Sequence, residues 1–187
     1  MSDHPLPPYP GSYWVIPGSL LASGYPGASS DGIKQPVLDR LLDAGIRSVI
    51  SLLEEEEVSA IEAGDHLLPY EDELEALGEQ RGCLVEIANY AIETGSTPTD
   101  QEMQLILDAI DAEIEGRDNP TLVHCTDGHG RTGLVVGCYL ARHGIANGKG
   151  VLDKIRELRA PYPDLAEHKS PENIVQERFV TRWKQDQ

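Results

Sequence analysis

The stretch TLVHCTDGHGRTG, Thr121 to Gly133, followed directly by LVVGCYLARHG, constrains the fold more than any other part of the chain. An apolar run of strand length meets a polar, glycine-rich turn, and a longer apolar run follows. The first reads as a strand, TLVHC, and the second as a helix reaching about His143, where Gly144 stops it. Strands that alternate with helices build an α/β sheet covered on both faces, and the remaining segments keep to that alternation.

YWVIPGSLLASG suggests two short strands around a Pro17-Gly18 turn. Pro36 suits the first turn of a helix that places Val37, Leu38, Leu41 and Leu42 on one face and stops at Gly45. Ile46 to Leu53 reads as a buried strand, about Tyr70 to Arg81 as a polar helix, and Cys83 to Ile92 as another strand. Thr99 and Glu102 form a capping-box pattern ahead of Met103, Ile106, Leu107, Ile110 and Ile114, which keep helical spacing. Two more amphipathic helices fit near 148–160 and 170–185. The expectation is one α/β domain with a four- to five-stranded, largely parallel central sheet flanked by helices. Residues 1–11 read as an irregular Pro/Gly lead-in and residues 12–187 as the domain.

A chain of 187 residues is long enough to bury a real core. No window holds the roughly 18 consecutive apolar residues of a membrane span. The start, MSDHPLPPYPG, lacks the basic and apolar regions of a secretory signal. Cys83, Cys125 and Cys138 are odd in number and widely spaced, which fits neither a disulfide framework nor a zinc site. A reducing cytoplasm is the expected compartment. The net charge of -17 argues against nucleic acid or an anionic membrane as partner, although its commonest meaning is solubility. Any bound anion must therefore be held by a local positive potential.

The loop after the strand can supply one. Its residues turn through Gly128 and Gly130 and enter a helix near Arg131, so several backbone N–H groups converge beside a helix N-terminus. The amides of Thr126, Asp127, Gly128, His129, Gly130 and Arg131 then form an anion cradle. The same field favours thiolate over thiol at Cys125. Arg131 brings a planar fork for two phosphate oxygens. Thr132 is placed to donate to the sulfur, and His124 to brace the loop through its carbonyls. A thiolate, an oxyanion cradle and a guanidinium are the parts of phosphoryl transfer to sulfur, with no metal or organic cofactor.

HCTDGHGRTG resembles the signature loop of cysteine-based protein tyrosine and dual-specificity phosphatases: His-Cys, five residues, Arg, then Ser or Thr. YWVIPGSLLASGYPG and SPENIVQERFVTRW resemble the opening and closing segments of small bacterial, kinase-associated-phosphatase-like members, so the likeness spans roughly residues 12–184. It implies a dual-specificity-phosphatase fold, a phosphoprotein or phosphopeptide substrate, catalysis by Cys125, Arg131 and Thr132, and a cysteinyl-phosphate intermediate. In relatives an aspartate on the loop before the long helix protonates the leaving oxygen, often within Asp-Gly-Ser-x-Pro. Here the matching run is Thr94-Gly95-Ser96-Thr97-Pro98, with threonine in the aspartate's place. Glu93 or Asp127 stands in, or the step goes without an acid; Glu93 is the residue taken as catalytic.

Other positions keep two readings. His129 either touches a second phosphate or faces solvent. Cys83 is structural or a resolving partner for Cys125, and Cys138 is core filler. His143 reads as a partner of the helix dipole, and Gln176 as a packing or hydrogen-bonding residue near the site. Two rival functions stay open: a phosphate-binding module without turnover, and an inositol phosphate or phosphoinositide phosphatase.

Overall fold

The computed structural model describes residues 5–27, 35–64 and 67–187, so the first four residues of the lead-in fall outside it. β1 (Ser12–Ile16) and β2 (Leu20–Ser23) form an antiparallel hairpin closed by the Ser19 N–H on the Ile16 carbonyl at 3.0 Å. α1 (Gln35–Asp43) buries Leu38, Leu41 and Leu42, and ends where Gly45 takes a φ of 89°. β3 (Ser48–Ser51), α2 (Glu55–Glu62), α3 (Glu71–Gln80) and β4 (Glu86–Asn89) follow. α4 (Asp100–Asp111) starts from the Thr99/Glu102 capping box and runs into a π-turn, Ala112–Gly116. β5 (Thr121–His124) leads into α5 (Gly130–Arg142), and α6 (Gly150–Arg159), α7 (Pro163–Ala166) and α8 (Ile174–Arg182) complete the order.

The sheet order is β1-β2-β5-β3-β4, and every pairing except β1 with β2 is parallel. One core packs α4, α5, α6 and α8 against the sheet through Ile106, Leu107, Leu134, Ile155 and Val180. The other packs α1 and α3 on the opposite face through Leu38, Leu41, Tyr70 and Leu74. The largely parallel sheet with helices on both sides is the one expected. Residues 5–11 contain no strand or helix, yet Tyr9 is buried and donates its hydroxyl to Ser23 Oγ at 2.7 Å.

Four segments differ from the sequence expectation. The strands read at Ile46–Leu53 and Cys83–Ile92 are four residues each, Ser48–Ser51 and Glu86–Asn89. The apolar residues beyond them, Leu52, Leu53 and Ile92, are still buried, but as connections past the sheet edge. α2 was not expected. Its first turn is Glu55, Glu56 and Glu57, where the helix dipole favours negative charge, and Glu54 with Glu57 makes a capping box. The closing helix begins at Ile174 rather than near 170, because Asn173 Oδ1 caps it by accepting from Val175 and Gln176 N–H at 3.0 Å.

Candidate active site

In the parallel register His124 lies level with Ser23 on β2 and Ser51 on β3, so Cys125 emerges at the carboxyl edge of the central strand. That edge is where open α/β sheets place ligands. The loop from Cys125 turns through Gly128 at a φ of 74°, where a Cβ would stand 2.4 Å from the Gly24 amide nitrogen, so no side chain fits. It then enters α5, whose residues Gly130 to Ala141 are all buried.

The sulfur of Cys125 accepts from two donors. Thr132 Oγ1 stands 3.1 Å away and the Gly128 N–H nitrogen 3.3 Å away. Cys125 itself is buried. His124 braces the loop as expected: its Nδ1 is 3.2 Å from the Cys125 carbonyl and its Nε2 2.7 Å from the Tyr70 hydroxyl. Burial, opposed by the carbonyl bond and aided by Arg131, pushes its pKa down to about 4, so the ring is neutral. Nδ1–H then donates to the carbonyl and Nε2 accepts from Tyr70.

Arg131 is buried, and its fork holds a protein carboxylate. Nη1 donates to Glu57 Oε2 at 2.5 Å and Nη2 to Glu57 Oε1 at 2.8 Å. Nη1 also reaches the Leu52 and Ile92 carbonyls, at 3.2 and 3.3 Å, and Nη2 the Thr126 hydroxyl at 3.0 Å. Thr126 Oγ1 donates to Glu57 Oε1 at 2.6 Å. Burial works against ionisation of Glu57, but these donors and the Glu54 N–H hold its pKa down at about 2. Glu57 is not among the candidates that the sequence offers. The missed signal was position: SLLEEEE follows the end of a parallel strand, where the chain passes the crevice.

Glu54 joins this network to the loop that carries the missing aspartate's position. Its Oε1 accepts from the Thr94 N–H at 2.9 Å. Asn173 Nδ2 donates to the Gly95 carbonyl at 2.9 Å, and Gln176 Nε2 to the Ser96 carbonyl at 3.3 Å. Gln176 is thus a buried hydrogen-bonding residue that ties α8 to this loop. Glu93 and Thr94 are exposed on it.

The remaining candidates fall to either side. Asp127 is exposed and faces a shallow cleft with Tyr9, Tyr25 and His168. His129 is half-buried: its ring stacks on His168 at 4.4 Å, and Nδ1 accepts from Arg159 Nη2 at 2.8 Å. Burial and the neighbouring Arg159 and His168 lower its pKa. Cys83 packs with the α1/α3 core and donates to the Gly78 carbonyl, whereas Cys125 belongs to the α4/α5 core. Cys138 is buried in α5, which raises its pKa well above the usual thiol value. His143 caps α5 and bonds Asp111 at 2.9 Å. Asp111, Glu115 and His143 bring ligand-type atoms within 4.8 Å of one another, but at the far end of α5, where Arg142 also pairs with Asp111.

Comparison with known proteins agrees with this geometry. The family model described as Swiss Army Knife protein, DSP-PTPase phosphatase domain, matches residues 10–175. A protein of Invertebrate iridescent virus 3 carrying the name tyrosine phosphatase 067L is 31% identical over 107 residues, 51% of this chain and 42% of its own length. Inositol diphosphatase DSP5 of Arabidopsis thaliana is 28% identical over 132 residues, 69% of this chain and 53% of its own. The chain thus spans about half the length of these curated relatives. The crystal structure of a kinase associated phosphatase superposes with a TM-score of 0.66 at 19% identity, covering 94% of this chain and 93% of that one. At that identity the likeness concerns the fold.

Proposed function

The chain belongs to the Swiss Army Knife DSP-PTPase phosphatase family, and from that premise we propose that it is a cysteine-dependent phosphomonoesterase working through a cysteinyl-phosphate. The observation that carries this reading is the sulfur of Cys125, which takes hydrogen bonds from Thr132 Oγ1 and the Gly128 amide at the start of a helix. Two donors on one sulfur suit a thiolate, first as attacking group and later as leaving group. The amides of residues 126–131 and the Arg131 charge hold the equatorial oxygens while sulfur displaces the leaving oxygen, and water then hydrolyses the intermediate. The catalytic domain is taken as residues 12–187. Nothing in the sequence of steps calls for a metal or an organic cofactor.

The substrate in this reading is a phosphoprotein or phosphopeptide, with phosphotyrosine first and phosphoserine or phosphothreonine second. The viral relative's name supports it. A cytoplasmic location agrees with three free thiols, Cys83, Cys125 and Cys138, and no helix among the described residues is long and apolar enough to cross a membrane. One observation favours a second reading, an inositol phosphate. Arg159 is buried beside the loop, bonded to His129 and the Leu165 carbonyl, with no carboxylate pairing among the described residues. It adds a second positive charge next to the cradle, and one curated relative is named an inositol diphosphatase.

The test is hydrolysis of aryl phosphate, phosphopeptides and inositol phosphates by purified protein in EDTA. Cys125→Ser abolishes turnover on every substrate and keeps oxyanion affinity, and Arg131→Lys is inactive because a point charge does not replace the fork. Turnover that persists in Cys125→Ser overturns the mechanism. Oxyanion binding by the unaltered protein without hydrolysis of any substrate assigns it to recognition instead.

A further inference from the structure

Among the described residues, Glu54, Glu57, Asp127, Glu93 and Glu172 are carboxylates near the phosphate loop, and Glu54, Glu57 and Asp127 are engaged or turned elsewhere. Glu57 is held by Arg131 and Thr126, and Glu54 by the Thr94 amide. Asp127 faces the cleft with Tyr9 and Tyr25. Glu93 is exposed, and it is its backbone carbonyl that takes the Ser96 N–H.

Glu172 is the fifth. Its carboxylate packs directly on Gly130, the first residue of α5: a Cβ at Gly130 would stand 2.5 Å from Glu172 Cδ and Oε1 and 2.9 Å from Oε2. The backbone around it is pinned. Ser170 Oγ donates to the His129 carbonyl at 2.8 Å, the Glu172 N–H to Gln176 Oε1 at 3.2 Å, and Asn173 Nδ2 to the Gly95 carbonyl at 2.9 Å. The side chain is exposed, and among the described residues its carboxylate has no hydrogen-bond or ion-pair partner. A carboxylate on a fixed backbone thus stands at the rim, between the phosphate loop and the loop of residues 93–98. A phosphate dianion in the cradle and a carboxylate against Gly130 repel each other unless a proton lies between them.

We propose that Glu172 is the acid–base carboxylate of the reaction, in the role the missing aspartate has in relatives. The proposal rests on Cys125 being the nucleophile. In the first step a sulfur electron pair forms the S–P bond, the bond from phosphorus to the leaving oxygen breaks, and that oxygen takes the proton of the Glu172 carboxyl. In the second, water oxygen attacks phosphorus, its proton passes to the Glu172 carboxylate, and the P–S pair returns to Cys125. Displacement in line with sulfur puts the leaving oxygen and then the water on the same outer side of phosphorus, so one rim carboxylate serves both steps.

The test compares alkyl with aryl phosphate turnover and the pre-steady-state burst in Glu172→Gln, Glu172→Asp, Glu93→Gln and Cys125→Ser. Glu172→Gln lowers kcat/KM for alkyl phosphates by about 10²-fold or more and for aryl phosphates much less, since aryl leaving groups need little protonation. It also shows a burst of one aryl alcohol per enzyme as cysteinyl-phosphate accumulates. Glu172→Asp recovers part of the alkyl rate. Unaltered thermal unfolding in both variants, and oxyanion affinity no weaker than the parent's, separate this loss from misfolding. An unchanged alkyl-to-aryl ratio without a burst in Glu172→Gln, while Cys125→Ser is dead, removes Glu172 from the chemistry. The same pattern appearing in Glu93→Gln instead assigns the proton to Glu93. Full activity in Cys125→Ser overturns the underlying mechanism, a result distinct from either.

Discussion

At the scale of single residues, the site is organised by what Arg131 holds. A buried guanidinium left without its carboxylate is costly, and Glu57 supplies that carboxylate together with acceptors for Thr126 and the Glu54 N–H. Glu57→Gln keeps the shape and removes the charge. It lowers stability at pH 7 by about 1–3 kcal/mol, the range for a charged group left imperfectly paired, and it lowers kcat/KM because Arg131 and Thr126 lose their common anchor. The pH dependence has a definite sign. The folded pKa of Glu57 is about 2, below its ordinary 4.5, so its contribution is complete above 4.5 and is lost as pH falls through about 2. Denaturation followed from pH 7 to pH 2 should show the two proteins converging at the acid end. A constant difference across that range would mean the carboxylate charge is not what stabilises the site.

At the scale of elements, α5 is the piston behind the loop and α8 the clamp beside it. The two helices meet at Gly137, where a Cβ would lie 2.5 and 2.8 Å from the methyls of Val180. Gly137→Ala overpacks that crossing and destabilises by about 1–3 kcal/mol, and because α8 carries Asn173 and Gln176 it also loosens the 93–98 loop. Urea denaturation checks the first effect, and protease nicking near Gly95 the second; a variant as stable as the parent would show that the crossing can widen freely. Element type was legible in sequence wherever period and punctuation agreed: the hairpin at Pro17-Gly18, α1 ending at Gly45, the capping box at Thr99, and α5 stopped by Gly144. α2 was hidden because EEEEVSAIE has too few apolar residues to show a period, and its helix rests on caps and dipole instead. Cys125, Arg131, Thr132 and the glycines of the loop were readable because they are contiguous. Glu57, Arg159 and Glu172 were not, since each reaches the loop only through tertiary folding from a different segment.

At the scale of the whole molecule, the proposed function requires a protein of net charge -17 to attract a phosphate monoester. In that reading the loop amides, the α5 N-terminus, Arg131 and Arg159 supply the attraction, while the long-range field opposes approach. The salt dependence follows. Shortening the Debye length from ~30 Å at 10 mM to ~8 Å at 150 mM screens the repulsion more than the contact interactions, so kcat/KM for a phosphate dianion rises with ionic strength, by roughly up to tenfold. Initial rates in a graded sodium chloride series measure it, and a fall over that range would mean that local positive charge governs encounter as well as binding. The tie between α8 and the loops has a further consequence, in time rather than space. The cradle is written in residues 125–131, but the segment that borders it, Ser170 to Gln176, is made more than thirty residues later. On the proposed mechanism, a chain still being synthesised carries its nucleophile before it carries the groups that fix the surrounding loops, and gains its chemistry only when α8 has cleared the ribosome and docked.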